Sequence, residues 1–328
     1  MNTLDCQVID RFDITCDSKM TFLQGALEPS FITRKLQDCL GANVDLKRIE
    51  VKRYKPERRC LIAYSFDDST LLGKIRAKGL DKTSYETQAY LYEAGLAVPK
   101  VLGIIPELHM WLQETIAGHS LTSVLQSQNA VTLMLNVAEE LYKLHSLSPA
   151  TSRQHTVNDE INILRDRLEC VKKLKPVWSQ RLERVMKACE LLTSKIPSGK
   201  ARGIHRDFYA DQVLVNKSRV YLLDFDLYTL GDPALDVGNF LGHLTELGLR
   251  LGNAKMFLEL ENVFESAYLA KNHEVSSKQI QIYKTLTLAR HIYISTLFED
   301  RKAFTKALLE LCEERLGLNH AVASIFVK

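Results

Sequence analysis

The sequence lacks the marks of several large protein classes. Among its 328 residues, no apolar run approaches the roughly 18 residues that a membrane-spanning helix requires. The seven cysteines show no Cys-x-x-Cys spacing, and their odd number does not make a disulfide framework, which favours a reducing compartment. The first residues include neither the basic start nor the apolar core of a signal peptide. We therefore expect a cytoplasmic protein without a membrane partner.

Clusters of one charge sign are also absent. The 43 lysines and arginines and the 40 aspartates and glutamates are mixed along the chain and give a net charge of +3. A nucleic-acid surface needs clustered basic residues, so we expect no nucleic-acid partner. No histidine or cysteine pair has the spacing of a zinc site, and there is no internal repeat. Nothing in the sequence indicates the oligomeric state.

The first third of the chain has the pattern of a small sheet. Five short runs of apolar residues between residues 48 and 116 predict strands, with turn residues between them. Residues 84–95, between the third and fourth runs, predict a helix. Residues 30–40 predict a leading helix whose first turn Ser30 would cap. We expect a small antiparallel sheet with one helix between its strands.

Beyond Gly118 the apolar residues recur every three or four positions, which predicts helices. A β-rich part followed by a helical part, without strand-helix alternation, indicates an α+β protein and not a parallel α/β sheet. The length exceeds the usual size of one core, so we expect two lobes, 1–116 and 117–328. The predicted helices of the second lobe cover residues 131–145, 158–173, 178–195, 254–271, 277–298 and 303–316.

The segment from His205 to Asp226 interrupts the helices and is the most informative part of the sequence. Apolar residues on both sides of a polar turn at 216–219 predict two short antiparallel strands. Such a hairpin would hold Gln212 and Asp224 side by side at its open end, where their oxygens could share one divalent cation. Asp207 would lie on the preceding loop, facing a substrate hydroxyl. Phosphoryl transfer needs such a base and such a metal clamp.

This string resembles the catalytic and metal loops of the aminoglycoside phosphotransferase and choline kinase superfamily. The family pattern is His-x-Asp-x4-Asn, followed by a hydrophobic pair and Asp-Phe or Asp-Trp. The segment Gly231-Asp-Pro-Ala-Leu-Asp236 is similar to a further family segment, Gly-Asp-Pro-x-x-Asp. The resemblance implies a bilobal protein-kinase-like fold, with a small antiparallel-sheet N-lobe that binds nucleotide and a helical C-lobe that holds the catalytic loop and the acceptor site.

The resemblance also assigns roles to residues of the second lobe. It implies that Asp207 is the catalytic base, that Asp224 binds Mg²⁺ directly, and that ATP or GTP donates the phosphoryl group. Gln212 replaces the family's asparagine; it keeps an amide oxygen for the metal but places it one methylene farther out. His205 is expected to support the loop by packing and hydrogen bonding.

In the first lobe the resemblance points to four residues. Lys74 on the third predicted strand would contact the nucleotide phosphates, and Glu86 on the following helix would orient it. Glu93 is the competing helix carboxylate, but it lies farther from the helix start than the family's glutamate. The segment 111–118 is similar to the family's hinge, so the carbonyl of Glu114 and the amide of Ile116 would face the base.

A departure from the protein kinases lies between the first two predicted strands. Residues 54–60 contain no glycine where a protein kinase has a glycine-rich phosphate loop. Backbone amides wrap a phosphate closely only where side chains do not intervene. Contact here would need the side chains of Lys55, Arg58 or Arg59, unless the turn is a solvated basic one.

The favoured function is a kinase that phosphorylates a hydroxyl of a small molecule: a metabolite, a sugar, an amino alcohol or an antibiotic. A protein kinase is disfavoured because only five residues separate Phe225 from Gly231, too few for a long activation segment. The alternative is a pseudokinase or nucleotide-binding regulatory module, which Gln212 and the glycine-free loop would suit. We expect the acceptor site among helices at 158–195 and 254–298.

Overall fold

Alternating buried and exposed residues build a six-stranded sheet in the first part of the chain. The strand order is β1-β2-β3-β4-β6-β5, and every neighbouring pair is antiparallel except the parallel pair β1 and β2. The computed structural model describes residues 6–197 and 199–318. The strands are β1 Gln7–Ile9, β2 Arg48–Lys55, β3 Arg59–Ser65, β4 Thr70–Arg76, β5 Val101–Ile105 and β6 Met110–Glu114.

The chain divides into two units, Met1–Gly118 and His119–Lys328, a boundary two residues beyond the one predicted. From residue 6 onward, the first unit contains three α-helices: α1 Leu23–Leu27, α2 Pro29–Leu40 and α3 Lys82–Glu93. The leading helix begins one residue before Ser30. Its cap is Glu28 and not Ser30 as predicted, because the Glu28 carboxylate accepts hydrogen bonds from the amides of Ser30 and Phe31.

The second unit is mainly helical. Its eight helices in the described part of the chain are α4 Leu121–Val124, α5 Ala130–Leu147, α6 Val157–Leu174, α7 Ser179–Thr193, α8 Pro233–Arg250, α9 Ala254–Leu269, α10 Ser277–Leu297 and α11 Thr305–Arg315. Thr156 and Ser276 begin α6 and α10 with reciprocal capping boxes, through Asp159 and Gln279 respectively. Six of these helices match predicted ones to within two residues at each end.

Short strands accompany the helices of the second unit: β7 His119–Ser120, β8 Arg202–Ile204, β9 Val213–Asn216, β10 Arg219–Leu222 and β11 Thr229–Gly231. The predicted hairpin is present as β9 and β10, with Val213 opposite Leu222. The pairing of β8 with β11 was not predicted. It brings the residues that precede His205 beside the residues that precede Asp232.

Helix α8 is the main element that the periodicity did not predict as a helix. Asp232 caps it by accepting a hydrogen bond from the Ala234 amide, and Pro233 occupies its first turn. Most of its residues are buried, including Gly238 and Gly242, where the helix meets α10. Burial on several sides removes the one-sided apolar pattern by which a surface helix is recognised.

Candidate active site

The catalytic segment after β8 is fixed by one buried carboxylate. Asp236, in the first turn of α8, is fully buried. Its Oδ2 accepts a hydrogen bond from the backbone amide of His205 at 2.6 Å, and its Oδ1 accepts one from the amide of Arg206 at 2.7 Å. Asp236 therefore has a structural role in this segment. The backbone directly before Asp207 is held by two charge-assisted hydrogen bonds.

A buried network supports Asp236 from behind. The ring of His145, at the end of α5, bonds Asp236 Oδ2 through Nε2 at 3.0 Å and the Tyr268 hydroxyl through Nδ1 at 2.7 Å. Asn272 donates to the same hydroxyl at 2.7 Å. These contacts satisfy side chains that would otherwise be costly to bury. His145 is thus a buried supporting residue of this network.

His205 has the architectural role that the resemblance implied. Its ring is fully buried and lies between Phe208 and Phe225, at centroid distances of 5.6 and 5.1 Å. Its Nε2 donates a hydrogen bond to the backbone carbonyl of Leu223 at 2.6 Å. Because Leu223 directly precedes Asp224, this bond ties the catalytic segment to the end of the hairpin.

Asp207 follows a residue in the left-handed backbone region, Arg206, with φ of 71°. Non-glycine residues rarely adopt this conformation, and they often do so near functional sites. After Asp207 the chain is fixed again, because Asn239 of α8 donates a hydrogen bond to the Phe208 carbonyl at 2.9 Å. The half-buried Asp207 is therefore held from both sides while its own carboxylate lines an open cavity.

The backbones of Gln212 and Asp224 lie at the open end of the hairpin. The Leu223 amide donates to the Gln212 carbonyl at 2.9 Å, which extends the pairing of β9 and β10 by one position. Asp224 then turns away from the strand with φ of 62°. A carboxylate and a side-chain amide are oxygen donors of the kind that Mg²⁺ accepts, so these two residues fit the metal. Within the described ranges no group of three or more His, Cys, Asp or Glu residues forms a separate metal cluster.

A cavity of about 280 Å³ opens beside Asp207. Tyr209 and Asp211 of the catalytic segment line it together with Arg250 of α8 and Arg290 of α10. Of the predicted acceptor helices, only α10 contributes to this lining, and no residue of 158–195 does. The other side chains of the lining come from Thr122, Ala210, His243, Leu244, Glu246, Leu247, Ile294, Phe298 and Arg301.

On the first unit, Lys74 lies on β4 in register with Trp111 of β6. Its Nζ is 4.7 Å from the centre of the Trp111 ring, which Tyr85 of α3 contacts edge-on at 6.1 Å. Lys74 and α3 therefore lie on the same face of the sheet, as their predicted roles require. The ammonium rests over an aromatic ring, a favourable position for a cation.

The structure does not join Glu86 to Lys74. Glu86 lies on the exposed side of α3, and within the described residues the two side chains form no ion pair. The most deeply buried polar residue of α3 is Gln88, whose amide donates to the Pro99 carbonyl at 2.8 Å and to Gln113 Oε1 at 3.2 Å. Sequence reasoning missed Gln88 because it searched the helix for a carboxylate.

The predicted hinge leaves the sheet at the end of β6. The Glu114 side chain accepts a hydrogen bond from the Lys100 amide at 2.9 Å, and its backbone amide donates to the Lys100 carbonyl at 2.9 Å. Ile116 follows β6 and is partly exposed. The Glu114 carbonyl and the Ile116 amide, which are proposed to face the nucleotide base, thus lie at the end of β6, where its strand pairing stops.

The glycine-free turn between β2 and β3 is held by a carboxylate from the start of the chain. Asp17 accepts hydrogen bonds from the Glu57 amide and the Tyr54 hydroxyl, both at 2.7 Å. Burial opposes ionisation of Asp17, but these hydrogen bonds outweigh it and lower the pKa of that carboxyl. Lys55 and Arg58 are exposed. The turn therefore does not use the Glu57 amide to wrap a phosphate.

The sequence model of one protein family, described as the phosphotransferase enzyme family, matches residues 84–259. This range covers more than half of the chain and includes the catalytic segment, the hairpin and Asp236. The chain belongs to this family. The phosphotransferase is accordingly a kinase with a hydroxyl acceptor, the class of enzyme that the catalytic segment predicted.

Solved structures with the same fold include two choline kinases and an antibiotic kinase. A choline kinase from Cryptosporidium parvum Iowa II is 15% identical, with a TM-score of 0.64 over 88% of this chain and 95% of that one. Choline kinase LicA from Streptococcus pneumoniae is 17% identical, with a TM-score of 0.60 over 88% and 98%. Spectinomycin phosphotransferase in complex with ADP and spectinomycin is 14% identical, with a TM-score of 0.60 over 90% and 98%.

At these identities the likeness establishes the fold, and it confirms the α+β, protein-kinase-like class expected from the sequence. No curated protein matches the phosphotransferase by sequence. None of its described helices is both long and apolar enough to cross a bilayer.

Several residues of the phosphotransferase that shape the site escaped the sequence reasoning. Asn239 and Arg290 lie on helix faces with no motif around them, and Arg301 lies in a short 3₁₀ turn, Glu299–Phe304. The one available signal was the Asp232 to Asp236 segment, which marks the start of α8. A helix predicted there would have placed Asn239 one turn beyond Asp236, beside the catalytic segment.

Proposed function

We propose that this phosphotransferase transfers the γ-phosphate of ATP or GTP to a hydroxyl of a small molecule, with Asp207 as the base. One observation carries the proposal: the backbone of Leu223 links the catalytic segment to both candidate metal ligands of the second unit. Its carbonyl accepts from His205, its amide donates to Gln212, and Asp224 follows it in the chain. The residues expected to activate the hydroxyl and to hold Mg²⁺ therefore belong to one hydrogen-bonded unit.

In the proposed reaction the acceptor hydroxyl lies against Asp207. The hydroxyl oxygen forms a bond to the γ-phosphorus, and its proton passes to the Asp207 carboxylate. The bond between the γ-phosphorus and the bridging oxygen breaks, and its electron pair leaves with the nucleoside diphosphate. The fixed backbone on both sides of Asp207 holds the base in position and so lowers the entropic part of the barrier.

Asp224 and Gln212 would hold Mg²⁺, which when bound would neutralise negative charge on the β- and γ-phosphates. On the first unit, Lys74 would contact the phosphates and Glu86 would orient it after a change of side-chain conformation. The Glu114 carbonyl and the Ile116 amide would bind the base. The seven cysteines are all free, which suits the reducing conditions of the cytoplasm, our proposed location.

The test is product formation from Mg²⁺-ATP or Mg²⁺-GTP with a broad panel of alcohols, followed by mass spectrometry of the acceptors. We expect at least one acceptor to gain a phosphoryl group, and Asp224→Ala to abolish this gain. Asp166→Asn, an exposed carboxylate on α6, is the control and should leave turnover unchanged. Tight nucleotide binding without any turnover across the panel would instead favour the regulatory, pseudokinase function.

A further inference from the structure

Three arginines line the cavity beside Asp207, although they lie far from the catalytic segment in the sequence. We define the arginine cluster as Arg250 at the end of α8, Arg290 on α10 and Arg301 in the 3₁₀ turn that follows α10. Two carboxylates of the lining, Asp207 and Asp211, belong to the catalytic segment. The lining contains a further carboxylate, Glu246, which lies on the same helix as Arg250.

Two members of the arginine cluster already have partners. Arg290 donates to Glu160 Oε2 at 3.0 Å and to Asn239 Oδ1 at 2.5 Å. Arg250 lies 2.7 Å from Glu246 Oε1, the third carboxylate of the lining. These contacts hold both guanidinium groups in place, and rigid arginines are better anion ligands because less conformational entropy is lost on binding.

Arg301 differs from the other two. Its guanidinium lies 5.0 Å from the centre of the Phe298 ring, and its Nε is buried without a hydrogen-bond partner. Within residues 6–197 and 199–318 it forms no ion pair. A buried donor without an acceptor is unfavourable, so an incoming anion that accepts from it gains more than at a surface site.

The two histidines next to the arginine cluster, His243 and His291, carry no charge at physiological pH. His291 is buried behind His243, with ring centroids 4.3 Å apart. Burial and the three arginines lower the pKa of His291 to about 3, and burial with His291 and the same arginines lowers that of His243. All three arginines line the same cavity. Both histidines are therefore neutral at physiological pH.

A cationic acceptor does not suit this cavity. A choline or amine group would have to lie beside guanidinium groups of the same sign, of which one has no carboxylate of its own. The cavity volume of about 280 Å³ is at the lower end for small-molecule sites, which favours a small acceptor. A carboxylate or a phosphate, by contrast, matches the planar fork of donors that arginine presents.

We propose that the acceptor is a small hydroxyl compound bearing a carboxylate or phosphate group, which Arg301 binds with the help of Arg250 while the hydroxyl lies at Asp207. This inference rests on the proposed function, since it names the acceptor class of the same reaction. The transfer is unchanged: the acceptor oxygen gains the γ-phosphoryl group, its proton goes to Asp207, and the nucleoside diphosphate leaves. The anionic group of the acceptor takes no part in bond making.

The experiment compares acceptors that share a carbon frame and differ in charge: glycerate, glycerol 3-phosphate, glycerol and 3-aminopropane-1,2-diol. We expect kcat/KM for one of the anionic members to exceed that for the neutral and cationic members by about tenfold or more. A comparison of kcat/KM for glycerate and for glycerol 3-phosphate shows whether the site prefers a carboxylate or a phosphate. Equal or higher kcat/KM for the neutral or cationic members would overturn the inference and leave the proposed function intact.

Arg301→Gln removes the charge and keeps a donor. We expect it to raise KM for the preferred anionic acceptor by about 10- to 100-fold and to leave KM for Mg²⁺-ATP unchanged. Arg167→Gln is the matched control, because Arg167 also lies over an aromatic ring, that of Tyr293 at 5.0 Å, but outside the cavity. Arg301→Lys keeps the charge without the fork and should show an intermediate increase.

Calorimetry gives a second readout that does not require turnover. We expect glycerate or glycerol 3-phosphate to bind the wild-type protein and Arg167→Gln equally, and to bind Arg301→Gln at least about tenfold more weakly. Anion binding that is absent from the wild-type protein, or the same in Arg301→Gln, would overturn the inference. If nothing in the broad alcohol panel is phosphorylated while anion binding depends on Arg301, the proposed function fails and the anion site stands.

Discussion

Asp236 controls the catalytic segment at the scale of single residues. It accepts two backbone hydrogen bonds and one from His145 while it is fully buried. The loss of a buried charged acceptor leaves its donors unsatisfied, which costs more than the net value of the bonds themselves. The position of Asp207 therefore depends on a side chain 29 residues later in the sequence.

We predict that Asp236→Asn lowers the free energy of unfolding by about 2–4 kcal/mol, because one amide or the His145 ring loses its acceptor. Urea denaturation of the variant and of the wild-type protein measures the difference. Asp166→Asn on the exposed side of α6 serves as the control and should change stability by less than about 0.5 kcal/mol. Equal losses in the two variants would contradict the role given to Asp236.

The candidate site could be predicted only in part at this scale. Gln212 and Asp224 could be placed together because they flank the two strands of one hairpin, and Asp207 was recognised on the preceding loop by its place in the family pattern. The pairing of Glu86 with Lys74 depends on which way α3 faces, and that orientation is set by tertiary contacts such as Gln88 with Gln113. Arg301 could not be predicted, since its position depends on how α10 ends and turns.

At the scale of secondary-structure elements, the contact of α8 with α10 shapes the second unit. A Cβ atom at Gly238 would lie 2.7 Å from the Ile280 carbonyl oxygen and 2.7 Å from the Lys284 amide nitrogen. These are backbone atoms that cannot rotate away. The close approach explains why α8 contains a glycine at a position where its helix propensity is unfavourable.

Gly238→Ala is therefore expected to destabilise the protein by about 1–3 kcal/mol, although alanine favours a helix over glycine. The midpoint of chemical denaturation provides the measurement. Gly25→Ala is the matched control in another helix, since the nearest atoms to a Cβ there belong to the side chains of Phe31 at 3.3 Å and Leu108 at 3.4 Å and not to backbone. A gain in stability for Gly238→Ala would show that the two helices do not approach as closely as described.

Burial also explains which helices and strands could be predicted from the sequence. Helices with one apolar face, such as α6 and α7, follow the predicted boundaries closely because their exposed sides keep the period visible. Helix α8 is buried on several sides, so only the segment that caps its start could be recognised in the sequence. The strand pair of β8 and β11 is three residues long on each side, too short for a periodic signal.

At the scale of the whole molecule, the buried His291 and the partly buried His243, both neutral, make stability depend on pH. The pKa of His291 in the folded protein is about 3, whereas an unperturbed histidine titrates near 6.5. Below pH ~6.5 the unfolded chain binds a proton at this position that the folded chain does not. The free energy of unfolding must therefore fall as the pH decreases from about 6.5 toward 3.

We expect His291 to contribute a loss of about 2 kcal/mol between neutral pH and pH 5, and His243 to add a loss of the same sign. Denaturation curves at several pH values between 7.5 and 5 measure the slope. This pH range lies above the pKa values of ordinary carboxylates, so they contribute little to the slope. His291→Gln should reduce the slope by about 1 kcal/mol per pH unit, and an unchanged slope would mean that the ring is protonated in the folded protein.

The central claim is that Asp207 accepts the proton of an alcohol as this alcohol receives a phosphoryl group. The most direct measurement is kcat for acceptor-dependent ADP release by wild-type protein and by Asp207→Asn, with the Kd for Mg²⁺-ATP measured alongside. We predict that kcat falls by about 10²- to 10⁴-fold while Kd changes by less than about threefold. A variant that retains the wild-type kcat would contradict the account.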